Sequence, residues 1–306
     1  MRLVFAGTPE PAVPSLRALA ASGHDLVAVV TRTDAVLGRK RVLTPSPVAQ
    51  AADELGIPVI KADRLDATAT DAIAELRPDL GVIVAYGGLV REPLLSMPPH
   101  GWINLHFSLL PRWRGAAPVQ HALIAGDRTT GASVFRLVAE LDAGDVYGEV
   151  TYPVPEEATA GDVLADLADV GAGLLTEVVD AIAAGTARAV PQVGEPTYAG
   201  KLTLADGALD WTQPARRVVD RVRGTTPEPG AHTTIGGVRL KVLAASAVAD
   251  AADLEPGRIG LVGRDVTVGT GEGAVVLHRV QPAGRPAMDA GDWWRGARLT
   301  DAVAGS

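Results

Sequence analysis

Asn104 and His106 stand two residues apart in Trp102-Ile103-Asn104-Leu105-His106-Phe107, a run whose side chains alternate as they do in a strand. A period of two puts both polar groups on one face. A carboxamide beside an imidazole can stabilise an oxyanion and move a proton, the two demands of acyl transfer. The run leads into Ser108-Leu109-Leu110-Pro111 and then Arg112, Trp113, Arg114 and Gly115. Pro111 has no amide to donate, and the rest supply charge, stacking surface and backbone freedom, a mixture costly for a purely structural loop. A lone histidine in a strand is more often a hydrogen-bonded, partly buried residue than a catalyst. Its place beside Asn104, at the carboxyl end of a strand and before a polar loop, reverses that reading.

Other candidates are weaker. Asp142 and Asp145 lie in Glu140-Leu141-Asp142-Ala143-Gly144-Asp145, where acids beside glycine commonly form turns, and spacing brings neither to His106. Ser108 is not in a G-x-S-x-G elbow, so it is discounted as a nucleophile. The sequence has no H-E-x-x-H, no cysteine and no acidic metal loop, which argues against metal catalysis. Gly7-Thr8-Pro9 lacks the G-x-G-x-x-G spacing and no Walker loop occurs. Trp102, Trp113, Trp211, Trp293 and Trp294 serve packing as readily as stacking.

The elements that must position Asn104 and His106 are read from periodicity. Arg2 to Ala6 is an apolar strand, Glu10 to Ala21 a helix, and Leu26 to Thr31 a second strand, a β-α-β unit that favours a parallel sheet with right-handed crossovers. Arg32 to Pro47, with Arg39-Lys40-Arg41 and no periodicity, reads as a long surface loop. Ser46 and Pro47 should be N-cap and N1 of a helix through Leu55, followed by a strand at Pro58 to Lys61 and a helix from Thr68 to Leu76. Leu80 to Ala85 is a buried strand that ends in Tyr86-Gly87-Gly88, and a helix is expected over Val90 to Ser96. After the polar loop come a helix from Ala116 to Ala125, strands at Gly131 to Val138 and Val146 to Val154, and a long helix from Thr159 to Ala184 capped by Thr159. Pro191 to Gly200 has the texture of a linker. Beyond it, one helix (Pro214 to Arg223) and strands at Thr233 to Val248, Gly257 to Thr270 and Ala274 to Val280 fit an open barrel slightly better than a small sandwich.

At 306 residues the chain fits two domains better than one or three. No apolar run approaches the roughly 20 residues needed to span a bilayer, and MRLVFAGTPE lacks a signal-peptide core, so a cytoplasmic protein is the simplest expectation. The absence of cysteine excludes disulfides and thiolate chemistry. From Asp206 onward 12 Lys and Arg balance 12 Asp and Glu, so the whole net charge of −8 lies in residues 1–205. A polyanion should therefore prefer the tail or the Arg39-Lys40-Arg41 patch. No long exposed apolar stripe stands out, which favours a monomer.

In order along the chain, AGTPE (6–10), TPSPV (44–48), VAYG (84–87), Asn104-Leu105-His106, Ser108-Leu109-Leu110-Pro111, WRGAAP (113–118), LDAGDV (141–146), LDW (209–211) and QPAGR (281–285) resemble the landmarks of the 10-formyltetrahydrofolate-dependent formyltransferases. The similarity covers nearly the whole chain and points to the branch that formylates the α-amino group of methionyl-initiator tRNA for translation initiation. It implies an α/β fold: a Rossmann-like, mostly parallel sheet with helices on both faces, then a linker and a smaller open β-barrel related to oligonucleotide-binding folds. The expected boundaries are 1–189 for the catalytic domain, 190–205 for the linker and 206–306 for a C-terminal tRNA-binding barrel. The family's catalytic Asn, His and Asp fall on Asn104, His106 and Asp142, so the resemblance supplies the meeting of Asp142 with His106 that spacing does not. Asn104 and His106 would then donate to the oxyanion, with Asp142 orienting or charging His106. The co-substrate 10-formyltetrahydrofolate would lie along Ser108, Leu109, Leu110 and Pro111 and the Tyr86-Gly87 turn, with no metal. Arg39, Lys40 and Arg41 would enter the acceptor stem, and the linker and barrel would hold the tRNA backbone. Two departures stand out: Phe107 occupies a place where many relatives carry Gly, and the basic loop is shortened and lacks an early Pro. Formyltransferases acting on amino-sugar nucleotides and formyltetrahydrofolate hydrolases share the trio, but WRGAAP and the basic loop favour tRNA. The intact trio speaks against a catalytically silent RNA-binding protein.

Overall fold

The computed structural model describes residues 1–38, 41–249, 254–299 and 301–305. In chain order the elements are β1 (Arg2–Gly7), α1 (Val13–Ala20), β2 (Asp25–Thr31), β3 (Ala35–Leu37), β4 (Val42–Thr44), α2 (Pro47–Glu54), β5 (Val59–Lys61), α3 (Ala67–Glu75), β6 (Leu80–Val84), β7 (Trp102–His106), β8 (Arg114–Gly115), α4 (Pro118–Ala125), β9 (Thr129–Arg136), β10 (Val146–Pro153), α5 (Ala160–Ala183) and β11 (Tyr198–Ala199). The tail adds α6 (Ala215–Thr225), β12 (His232–Ile235), β13 (Val238–Val248), β14 (Ile259–Val262), β15 (Asp265–Gly269), β16 (Ala274–Pro282), β17 (Met288–Asp289) and α7 (Ala290–Ala297). The chain divides into two compact units, one made of residues 1–118, 129–153 and 164–199, the other of 119–128, 154–163 and the tail from Gly200.

In the first unit seven strands run in the order β10-β9-β7-β6-β1-β2-β5, parallel from β7 to β5, with β9 and β10 added antiparallel. The chain winds outward from β1 through β2 to β5, then returns to β6, so right-handed crossovers place helices on both faces and leave a switch point between β1 and β6. This is the doubly wound α/β arrangement expected. The helix starts follow local chemistry. Ser46 accepts from the Ala49 amide at 3.0 Å ahead of Pro47, and Thr159 and Asp162 form a reciprocal cap at the start of α5.

Two expectations are corrected. Arg32 to Pro47 is not structureless: β3 and β4 pair as a short antiparallel hairpin, with the β-branched Val36, Val42 and Thr44 on either side of a turn at Gly38. Val90 to Ser96 is not a regular helix but a series of turns. Pro93 removes an amide there, and the Glu92 carboxylate takes the Ser96 amide at 3.2 Å in place of a backbone carbonyl.

In the second unit the strands run β12-β13-β16-β15-β14, all antiparallel, with β17 pairing the C-terminal half of β16 beyond the reach of β15. Register breaks in β13 at Val242–Ala244 and Ala244–Ala245 let this sheet curl into an open half-barrel. Leu240, Val242, Val266, Val268, Val275, Leu277 and Val280 fill it, sealed by Val218 and Val222 of α6, with Trp211 donating to the Thr233 hydroxyl at 3.0 Å. Each of two long expected strands is divided, at Gly236-Gly237 and at Gly263-Arg264, and α7 is an element that the sequence did not announce.

Candidate active site

Strand β7 is held from both sides. Trp102 is fully buried and donates its indole N–H to the Leu94 carbonyl at 2.8 Å. Gly81 lies so close to that ring that a Cβ there would stand 2.1 Å from it, so only glycine lets β6 run beside the tryptophan. Leu105 packs against α5 where Gly171 leaves room, a Cβ at 171 falling 3.0 Å from the leucine side chain. Two glycines, each in a run that reads only as apolar, thus fix the strand that carries Asn104 and His106.

His106 Nε2 lies 2.9 Å from the Trp113 carbonyl oxygen. A carbonyl only accepts, so this contact places a ring proton on Nε2. Nδ1 then faces Asp142 Oδ2 at 3.8 Å, with both side chains about nine-tenths buried. The neutral ring offers a lone pair to a carboxylate, and the pair as it stands has room for one more proton. Asp142 Oδ2 also accepts the Gly115 amide at 2.7 Å. Burial holds the His106 pKa below its ordinary 6.5, opposed by the Asp142 charge and the Trp113 carbonyl, so the ring is neutral at pH 7. Asn104 shares the face of His106 by strand alternation, and its Oδ1 is buried with no partner. An amide left with unused hydrogen-bonding capacity beside a neutral imidazole is what a ligand with its own polar groups would complete. Asp142 (φ 46°) and Trp113 (φ 60°), which frame the site, both lie in the left-handed region.

The other expected site residues fall in different places. Ser108 is buried and donates to the Arg112 carbonyl at 2.6 Å, which shapes the loop from within. Leu110 is buried with Phe135 and Val146, Pro111 is buried and Leu109 half-buried. Tyr86 turns away from the surface: its hydroxyl donates to the Ala62 carbonyl at 2.5 Å, its ring belongs to the core and its carbonyl accepts the Thr8 hydroxyl at 3.0 Å, so at this turn it is Gly87 (φ 81°) that is exposed. Phe107 is buried. Arg41 is exposed in the hairpin turn, whereas Arg39 and Lys40 lie outside the described residues.

The segment expected to be a linker contributes what sequence reasoning missed. Thr197 accepts the Trp113 amide on its hydroxyl at 2.9 Å and the Arg114 amide on its carbonyl at 2.8 Å, and the Ala199 carbonyl accepts the amides of Ala116 and Ala117. Gln192 bonds to the backbone at Asp142 and Gly144. No local pattern marks these residues. The one signal was a lone carboxamide, Gln192, in a stretch of Pro, Gly and Val. Among the described residues no cluster of His, Asp and Glu could hold a metal ion, and no helix is long and apolar enough to cross a membrane.

A doubly wound sheet that presents an amide, an imidazole and a carboxylate together is the arrangement of a group-transfer enzyme. The profile of the formyl transferases matches residues 1–179 and that of the formyl transferase C-terminal domain matches residues 201–298, so the chain belongs to the formyl transferase family. Within that family the chain is similar over its whole length to proteins named methionyl-tRNA formyltransferase. The protein of that name from Clavibacter sepedonicus is 60% identical over 99% of this chain and 100% of its own length. That from Leifsonia xyli subsp. xyli is 60% identical over 97% of this chain and 98% of its own. Among solved structures, an N-formyltransferase from Helicobacter canadensis, in complex with folinic acid and dTDP-3-aminofucose, superposes with a TM-score of 0.70 at 15% identity, covering 92% of this chain and 98% of that one. At that identity the likeness concerns the fold alone.

Proposed function

We propose that this enzyme transfers the formyl group of 10-formyltetrahydrofolate to the α-amino group of methionyl-initiator tRNA, in the cytoplasm and as a monomer. The observation that carries the reading is the buried His106–Asp142 pair beside an unpartnered Asn104, inside a formyl transferase module whose whole-length relatives are methionyl-tRNA formyltransferases. The folate supplies an activated formyl carbon. Ser108 to Pro111 and the Tyr86-Gly87 backbone form the wall along which it lies, and the orphaned Asn104 amide fits a ligand that brings hydrogen-bonding groups of its own.

The division of labour follows from which protons are already committed. Because the Nε2 proton of His106 is engaged by the Trp113 carbonyl, His106 acts through Nδ1 and takes the proton lost by the attacking amine, while the Asp142 charge stabilises the imidazolium. The Asn104 amide is left to donate to the formyl oxygen as negative charge develops there, and when the tetrahedral adduct collapses the formyl carbon–folate nitrogen bond breaks and the imidazolium returns its proton to the departing nitrogen. This differs from an arrangement with two oxyanion donors: one residue donates and the other accepts. Residues 1–189 serve as the catalytic domain, residues 190–205 as the linker, and 206–306 as the barrel that holds the tRNA backbone, with Arg39, Lys40 and Arg41 at the acceptor stem.

Formyl transfer from 10-formyltetrahydrofolate to charged initiator tRNA is the direct assay, with a nucleotide-linked amino sugar and water as competing acceptors. Turnover on the tRNA alone is expected. Transfer to the sugar, or release of formate without an acceptor, would replace this reading with another branch of the family.

A further inference from the structure

Gln192 sits in the stretch that reads as linker, yet its side chain is more committed than most in the first unit. Its Nε2 donates to the carbonyl oxygens of Asp142 at 2.8 Å and Gly144 at 2.9 Å. Its Oε1 accepts from Arg114, at 3.2 Å from Nε and 2.6 Å from Nη2. The orientation of the amide is settled by its partners: a guanidinium only donates and two carbonyls only accept, so turning the group over would break all four contacts. Arg114 is buried, and its ion-pair partner, Glu140, stands 3.5 Å away with a side chain that is largely exposed. The guanidinium thus polarises the glutamine amide, which makes it a stronger donor to the Asp142 turn. The same arginine precedes Gly115, whose amide binds the Asp142 carboxylate. Val190 pairs with Val146 just before this point, which anchors the strap to β10.

We infer that Gln192 is a positioning residue for the transfer reaction: with Arg114 it holds the Asp142 turn in its left-handed conformation and so sets the distance from the carboxylate to His106. The inference rests on the proposed formyl transfer. Gln192 touches neither His106 nor the space beside Asn104, so it acts through Asp142. Among the described residues Asp142 is the one charge that shifts His106, which also bonds the Trp113 carbonyl and meets the Phe135 ring nearly at right angles. A displaced carboxylate therefore has a readout that lost stability does not share.

The test uses the full chain with Gln192→Met, which keeps the length without the amide, and Gln192→Glu, which keeps the Arg114 contact but turns oxygen toward two carbonyls. Both variants are expected to lower kcat by about 10²-fold, the usual cost of a displacement near 1 Å, with the KM for the formyl donor within about twofold of wild type. In Gln192→Met, which adds no charge, the acid limb of the kcat/KM profile should move to lower pH by about half a unit, since a carboxylate about 1 Å farther off raises the His106 pKa less. Gln192→Asn serves as a milder neutral variant if Gln192→Met fails to fold, with the same shift in smaller measure. An unmoved acid limb in the neutral variant that folds, or kcat equal to wild type, would overturn the inference. Wild-type protein inactive toward charged tRNA would instead remove the reading beneath it.

Discussion

Each of the two units buries an ionisable pair, and the pairs are finished differently. In the second unit Arg223 and Asp220 lie 3.4 Å apart, both buried, and the arginine also donates to the carbonyls of Ala158 and Pro155, each at 2.9 Å. These bonds tie α6 to the 154–163 segment. In the first unit His106 and Asp142 are as deeply buried, but between them a lone pair faces a carboxylate and the amide oxygen beside them has no partner. Burial and charge alone do not mark a site. Nor does unused hydrogen-bonding capacity alone, since Ser15, Thr130 and Arg239 also bury polar atoms without partners; the first unit's pair is set apart by having such an atom beside it on the same strand face.

The largest effect should come from breaking the finished pair. Arg223→Met takes from the Asp220 carboxylate its one buried partner and frees the Ala158 and Pro155 carbonyls, which should cost about 3 to 5 kcal/mol of stability in urea or thermal unfolding, with kcat per folded molecule unchanged. Desolvation already raises the Asp220 pKa, opposed by Arg216, Arg223 and two further arginines. Without Arg223 it rises further, so the deficit should shrink as the pH falls into the carboxylate range and be largest at neutral pH. A deficit independent of pH would show that the buried charge is not its source. Next in size, Asn104→Ala should lower kcat by about 10² to 10³ with the unfolding midpoint little changed, the loss expected for one oxyanion donor. Near-normal turnover would remove Asn104 from the reaction.

The unfinished pair is sharpened by pH. Desolvation, the largest influence on His106, depresses its folded-state pKa below 6.5. The acid limb of kcat/KM should therefore fall below pH 6.5, where the ring first takes a proton before the substrate arrives. By the same sign, the stability contributed by neutral His106 is present above 6.5 and lost as the pH drops toward the depressed value. An acid limb above 6.5 would contradict the assignment. The smallest change is electrostatic: replacing Arg39, Lys40 and Arg41 together should flatten the salt dependence of tRNA binding by about 2 in log–log slope. An unchanged slope would make the hairpin a surface feature only.

What the sequence disclosed follows the range of the interactions involved. The caps at Ser46 and Thr159 and the strand carrying Asn104 and His106 are set within a few residues, so periodicity and residue type were enough. The Val90 to Ser96 turns escaped because Pro93 outweighed the apolar spacing, and the hairpin escaped because its strands are three residues each, too short for alternation to register. Gln192 was invisible for a different reason: its partners are 50 and 78 residues away in sequence. The approach of Asp142 to His106 belongs to the same long-range class, and family resemblance rather than spacing named it.

Asp142 holds its backbone at a φ of 46°, where a glycine would rest without strain. A left-handed side-chain-bearing residue costs the fold about 1 kcal/mol. Asp142→Gly would relieve that strain but leave the Gly115 amide without its acceptor, a loss of about 1 to 3 kcal/mol. The carboxylate thus more than offsets its own strained backbone, and selection for heat resistance and selection for turnover favour the same residue at this codon.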